Sequence, residues 1–297
     1  MCPRRRVLCT VALVALACSP ACRRALGDER RLGGGPPRRV VALTCNATDI
    51  FACLGELDRV VAVEEDCPAP GTEGKVRIRN DDHVGKAKAL NVEAILALHP
   101  DLVIAKPALR EVLGPLGVPV LWPPVRMDMR TMPQFVRQIA ATLGVGARGE
   151  DVLRAMAAKQ ERLRRRTAGL PRVRVYYEST GLGRSIGRRS ILHEMIELAG
   201  GANLGAAADK PGIVLTNEAI LAADPEVIVL SPFADPTDEV VARPGWRRSS
   251  AVRHGRVHRI PLDRRYVLLA TPRCVDGCEE FLLPWLHPEL FPAETGR

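Results

Sequence analysis

Hydrophobic and polar positions along this chain fall into one short pattern that occurs twice, once in each half. A polar turn and a glutamate are followed by an apolar half-turn, a proline stop and a continuous apolar run. The first copy passes from Asn91 through Glu93 and Ile95 to His99-Pro100-Asp101 and Leu102-Val103-Ile104. The second passes from Thr216-Asn217 through Glu218 and Ile220 to Asp224-Pro225-Glu226 and Val227-Ile228-Val229-Leu230. Each predicts a short helix capped by Asn or Thr, stopped by a proline that cannot continue it, and followed by a buried strand.

The surrounding pattern extends this into two α/β halves. Arg39 to Leu43 is a buried β run, Thr44 to Thr48 a polar turn able to cap a helix, Asp49 to Leu57 helical, and Val60 to Val63 a second strand; such spacing is a parallel α/β unit. The loops after parallel strands lie at the carboxyl ends of the sheet, where open α/β folds bind ligands. Thr44 to Thr48, the Cys67 loop, Lys106-Pro107 and Trp122-Pro123-Pro124 qualify. Thr131 to Leu143 is amphipathic, and residues 147 to 168 form a charged, Ala-rich, Pro-free stretch that reads as a stiff connector. Strands at Val173 to Tyr177, Val227 to Leu230 and Val257 to Pro261, a Gly-rich loop from Glu178 to Gly187, a helix from Ser190 to Ala199 and a closing helix from Cys274 to Leu286 complete the second half. The fold class is α/β: two lobes with central, mostly parallel sheets joined by a single long helix. The first lobe spans residues 38–144, the linker helix 145–170 and the second lobe 171–292.

The first residues address the chain to export. Arg4 to Arg6 precede a short apolar stretch, Val7 to Ala17, and Ala15-Leu16-Ala17-Cys18 offers small residues before a cysteine. This is a secretory signal, with an apolar run too short to span a bilayer stably. The last four residues resemble the lipobox of bacterial lipoproteins, which makes Cys18 the lipidated first residue of a membrane-anchored periplasmic protein. Residues 1–22 are thus signal and anchor, and residues 23–37, rich in Arg, Gly and Pro, a flexible tether. Composition adds little. A net charge of +9 is spread through the chain without aromatic-interleaved basic motifs or zinc-finger spacing, which argues against nucleic acid.

The ordered segments RVVALTCNATDIFACLGELDRVVAV, LNVEAILALHPDLVIA, RRSILHEMIELAGGANL, TNEAILAADPEVIVLSP, AVRHGRVHRIP and TPRCVDGCEEFLLPWLHPELF cover nearly everything from residue 38 to 291. They resemble the helix-linked class of substrate-binding proteins of bacterial ABC importers, the group that binds iron siderophores, haem and cobalamin. The resemblance implies a monomer with a ligand cleft between its lobes, no catalysis and no cofactor, working with a permease and its ATPase. It places Glu93 and Glu218 as the glutamates that meet permease arginines, one per lobe. Two such carboxylates would fix a single docking orientation through charge-assisted pairs. A first-turn glutamate also meets the positive end of its helix dipole, which is the other account of either residue.

The same resemblance lines the cleft with Thr44, Cys45, Asn46, Cys67, Arg79, Trp122, Tyr177, Arg184, Tyr266 and Arg273. Those cations suit an anionic metal chelate, foremost a ferric siderophore, with haem and cobalamin as alternatives. Nine cysteines depart from the family pattern; without Cys2, Cys9, Cys18 and Cys22 five remain: Cys45, Cys53, Cys67, Cys274 and Cys278. Cys45 and Cys67 follow adjacent strands and are candidates for a bridge, whereas Cys274 and Cys278 stand one helical turn apart, a spacing suited to a soft metal. A site built of Cys45, Cys67, Cys274 and Cys278 would make the chain a thiol-dependent metal scavenger or sensor without a transporter. No nucleophile elbow, Walker loop, complete dinucleotide fingerprint or His-Glu-x-x-His is present, and among the histidines only His83 is considered for ligand contact.

Overall fold

The computed structural model describes residues 35–79 and 90–291. The signal segment, Cys18, most of the tether and His83 lie outside the described residues. Two fully parallel sheets, one in each half, form the framework. The first contains β1 (Val40–Ala42), β2 (Val60–Glu64), β3 (Val76–Ile78), β4 (Leu102–Ile104) and β5 (Val120–Leu121), in the order β3-β2-β1-β4-β5. The second contains β6 (Val173–Glu178), β8 (Gly201–Asn203), β10 (Val227–Leu230) and β11 (Val257–Arg259), in the order β11-β10-β6-β8. A two-stranded antiparallel ribbon pairs β7 (Arg184–Ile186), at the end of the Gly-rich stretch read from sequence as loop, with β9 (Gly212–Val214). Tyr176 holds it to the sheet by accepting a 2.9 Å hydrogen bond from the Gly183 amide.

The apolar runs are buried on both faces, as parallel strands require. β1, β4 and β10 are buried throughout, and the helices α1 (Cys45–Cys53), α3 (Met132–Thr142) and α5 (Ile191–Leu198) close over them. Between the halves runs α4 (Gly146–Thr167), a single helix of 22 residues. Its polar face ties it to the closing helix α7 (residues 274–286) through the ion pairs Lys159–Asp276 and Arg162–Glu279. The closing helix widens by a π-turn over Cys278–Leu282.

The repeated motif folds the same way in both halves. Asn91 caps α2 (Val92–Ala97) by accepting from the Ala94 amide at 2.9 Å, and Thr216 caps α6 (Asn217–Ala223) by accepting from the Ala219 amide at 3.1 Å. Each helix ends on a non-glycine residue with positive φ, His99 (46°) and Asp224 (42°), directly before the proline. Arg39 donates to the Leu98 carbonyl and Arg174 to the Ala223 and Asp224 carbonyls, neutralising the exposed carbonyl end of each helix. Asp101 and Glu226 then accept from the backbone amides of Arg39 and Arg174.

Candidate functional site

In the first sheet the chain turns back on itself between β1 and β4, so the loops after those two strands leave in opposite directions. That divergence opens a crevice at the carboxyl edge, the position at which open α/β sheets bind ligands. A cavity of about 990 Å³ lies there. The first half contributes Thr44, Cys45 and Asn46 after β1, Glu64 at the end of β2 with Asp66 and Pro68 beyond it, Lys106, Pro107 and Ala108 after β4, and Pro123, Pro124, Val125 and Met127 after β5. From the second half come Phe233 after β10 and Leu262, Arg265, Leu268 and Leu269 after β11. The cavity is therefore an interlobe cleft built from strand ends.

Its chemistry is mostly apolar and its walls are stiff. Pro68, Pro107, Pro123 and Pro124 have fixed φ and no amide proton to offer, so they present rigid carbon surface. Val125, Phe233 and Leu262 are 96%, 62% and 56% exposed, which leaves large apolar groups facing an open site. Among the described residues that line it, two acids, Glu64 and Asp66, balance two cations, Lys106 and Arg265. Glu64, though buried, accepts from the Cys45 amide at 3.1 Å and the Cys45 thiol at 3.0 Å, and Lys106 lies 3.9 Å away.

Of the residues the sequence singled out for ligand contact, Thr44, Cys45 and Asn46 line the cavity and Cys67 lies buried directly behind Cys45. The others are placed elsewhere. Trp122 packs against the first-lobe core beneath Arg110, whose guanidinium is 4.9 Å from its ring. Tyr177 sits in the central strand β6 and is buried in the core. Arg184 is exposed on the β7–β9 ribbon, and Arg79 is exposed after β3. Tyr266 lies between Arg264 and Arg273 at cation–π distance. Arg273 pairs with Asp49 at 3.1 Å, joining the two lobes beneath the cleft. Phe233, Leu262, Arg265, Leu268 and Leu269 escaped the sequence reading; Phe233 and Leu262, each directly after a proline, were the available signal.

The structure does not bring the four cysteines of the expected metal site together. Cys274 and Cys278 face inward in the closing helix and are fully buried in the core, where the Cys278 thiol donates to the Met195 carbonyl. Burial raises both thiols well above their ordinary range. Among the described residues no three His, Cys, Asp or Glu side chains gather as a metal site, and all five described cysteines are free thiols.

Glu93 and Glu218 are exposed in the first turns of α2 and α6. Each helix runs antiparallel to the strand that follows it, so both carboxylates lie toward the carboxyl edges of their sheets, the side on which the cleft opens. Neither makes an ion pair with a described residue.

Two parallel-sheet lobes, a rigid helical connector and an interlobe cleft define a bilobed ligand-binding protein of the helix-linked kind. The sequence model of the family described as periplasmic binding protein matches residues 40–263, and the chain belongs to that family of ABC-importer substrate-binding proteins. It is 27% identical over 269 residues to an ABC transporter substrate-binding lipoprotein of Bacillus subtilis, covering 86% of this chain and 82% of that protein. It is 25% identical over 257 residues to a vitamin B12-binding protein of Vibrio parahaemolyticus, covering 83% and 90% respectively. Among solved structures it superposes on the periplasmic vitamin B12-binding protein of Vibrio cholerae with a TM-score of 0.63 at 25% identity, covering 86% of this chain and 99% of that one. The periplasmic haem-binding protein of Roseiflexus sp. RS-1 gives a TM-score of 0.71 at 24% identity, covering 84% and 98%. These relatives are binding proteins for transport rather than enzymes.

Proposed function

We propose that this chain is the exported receptor of an ABC importer and that its cargo is a corrinoid of the cobalamin class. The single observation that carries the reading is the wall chemistry of the cleft. Its size stands at the upper end of small-molecule sites, roughly 300–1,000 Å³, and its surface is rigid, proline-lined and apolar with balanced charge. A large macrocycle with apolar faces and peripheral amides matches such a wall. The electrostatic case for a ferric siderophore rested on Arg79, Arg184 and Arg273, none of which is among the described lining residues; the described charges that line the cavity are two acids and two cations. Relatives at 25–30% identity that are named vitamin B12- or cobalamin-binding proteins support the same choice.

In this reading Cys18 anchors the exported monomer to a membrane by lipid, and the segment up to the first strand is its tether. Loaded receptor docks on the permease with one glutamate from each lobe, Glu93 and Glu218. Both carboxylates point from the cleft side of their lobes, so a permease that receives them faces the opening through which cargo leaves. A titration of the purified protein with cyanocobalamin, haem and ferric chelates tests the assignment. Saturable binding of cobalamin alone supports it; saturable binding of a ferric chelate or haem with no response to cobalamin refutes it.

A further inference from the structure

The helix α4 carries more positive charge than its packing uses, and it lies on the side of the molecule away from the cleft. Its C-terminal end leads through Gly169 and Pro171 into Val173, the first residue of β6, whose amide donates to the Gly200 carbonyl. Its N-terminal end is tied to the start of the first lobe by a relay. Arg148 pairs with Glu56 at 2.6 Å, Glu56 with Arg59 at 2.5 Å, and Arg59 donates to the Pro37 carbonyl at 2.8 Å, just before β1. Both ends of α4 therefore stand at the amino edges of the sheets, whereas the cleft opens at the carboxyl edges. The helix forms the base of the molecule, and the chain preceding residue 35 joins the body at that base.

Seven cations and three acids lie on α4, and the excess gathers in its last turns, where Arg162, Arg164, Arg165 and Arg166 accompany a single acid, Glu161. All four arginines are exposed, while Leu153, Met156 and Leu163 are buried on the opposite face. Carboxylates answer only part of this charge. Arg162 pairs with Glu279 and Arg165 with Glu161, in solvent, where such pairs are weak and exchangeable. Arg164 has no carboxylate partner among the described residues, and Arg166 lies over the Phe291 ring at 4.5 Å. Between Cys18 and Gly35 the sequence adds Arg23, Arg24, Arg30 and Arg31 against Asp28 and Glu29.

We propose that the outer face of α4 is a membrane-contact surface that rests on the anionic phospholipid headgroups of the bilayer to which the chain is tethered. Guanidinium groups pair with headgroup phosphates through charge-assisted, bidentate hydrogen bonds, and a cationic cluster is drawn to the negative potential of such a surface. In this orientation the cleft, Glu93 and Glu218 face away from the bilayer. The resting receptor thus presents its opening to the surroundings and turns over to meet a permease in the same membrane. The 16 residues between Cys18 and Gly35 reach at most about 55 Å, which leaves room for that turn.

The orientation rests on the lipid-anchor reading, but the lipid contact does not, so it is tested on unlipidated protein beginning at Ser19, without cargo. Sedimentation with vesicles of phosphatidylcholine containing phosphatidylglycerol, beside vesicles of phosphatidylcholine alone, reads the binding. The expected result is retention by the anionic vesicles only, released as salt is raised. Arg164→Gln/Arg165→Gln/Arg166→Gln should weaken it about tenfold or more, with a nearly unchanged denaturation midpoint. Arg184→Gln/Arg188→Gln/Arg189→Gln removes the same net charge from exposed positions on and just after β7, beyond a Debye length from the base, and should stay within about twofold of wild type. The proposal is overturned by no retention at low salt, by equal binding to both vesicles, or by an α4 variant that binds as wild type. Equal loss in the two variants, or full displacement by inorganic phosphate at constant ionic strength, overturns it as well.

Discussion

Asp49 and Arg273, 224 residues apart in sequence, meet at 3.1 Å beneath the cleft, where the fully buried carboxylate of α1 also accepts a 2.6 Å hydrogen bond from Thr271. One side chain from the first lobe thereby holds two from the segment that starts the closing helix. The Asp49→Ala variant leaves the Thr271 hydroxyl and the guanidinium without this acceptor. Arg273 is a quarter exposed and can rehydrate in part. The expected cost is about 2–3 kcal/mol, below the figure for a fully sealed pair, measured by urea denaturation.

The same carboxylate gives a pH signature. Burial pushes Asp49 above its ordinary range, against the lowering pull of Thr271 and Arg273. A raised folded-state value means that the native state holds the proton more tightly than the unfolded chain does. Its stabilising contribution is therefore complete below the unfolded value, roughly 3.9, and is lost as pH rises through the folded value. Asp49→Asn removes that dependence. The stability of wild type relative to this variant should fall as pH rises from acid toward neutral; a flat difference would contradict the assignment.

In the second lobe, Glu178 is fully buried and receives Arg243 through two hydrogen bonds of 2.7 and 2.8 Å, with the Tyr176 hydroxyl donating at 2.9 Å. Arg243 also pairs with Asp235, and Arg259 holds the Ser231 and Ala234 carbonyls, so this network fixes the loop that presents Phe233 to the cleft. Truncation of Glu178 to Ala leaves Arg243 poorly compensated in a nearly sealed site. A loss of about 3–5 kcal/mol is expected in chemical denaturation, against a much smaller loss for an exposed pair such as Arg165–Glu161.

Phe233 offers a clean separation of binding from stability. Its ring is mostly exposed, so Phe233→Ala should leave the denaturation midpoint nearly unchanged. Cargo affinity should fall about tenfold, the weight of one lost aromatic face. Calorimetric titration distinguishes this from a ring that merely faces solvent, for which affinity would not move.

The docking assignment predicts the reverse separation. Charge reversal at Glu93 or Glu218 places a like charge against a permease arginine and should lower transport at least about tenfold. Cargo affinity should stay within about twofold, because neither residue lines the cleft. Uptake into vesicles carrying the permease, measured beside equilibrium binding, checks both halves of the prediction.

The framework of this fold was legible because its signals are local. Asn91 and Thr216 announce their helices by capping chemistry, Pro100 and Pro225 stop them, and the apolar runs after them have no choice but burial. The site was legible only where it follows directly from that framework, as at Thr44, Cys45 and Asn46 in the turn after β1. Tyr177 was assigned to the cleft by the family resemblance, yet β6 is a central strand and Tyr177 belongs to the core. Trp122 shows the same limit: its ring covers first-lobe core beneath Arg110 while the prolines after it form the wall. The contribution of Leu262, Leu268 and Leu269 depends on the second lobe folding over the first, a long-range arrangement to which hydrophobic periodicity is blind. Arg184 was assigned to the cleft by the same resemblance but stands exposed on the β7–β9 ribbon, whose short strands carry too few alternating positions to stand out in the sequence.

Equilibrium dialysis of the purified, reduced protein against cyanocobalamin, with haem and ferric citrate, catecholate and hydroxamate chelates in parallel, tests the central assignment most directly. The predicted result is one saturable, submicromolar cobalamin site, on the order of 8 kcal/mol or more of binding free energy, weakened by Phe233→Ala. Saturation by a ferric chelate or haem with no retention of cobalamin would contradict it.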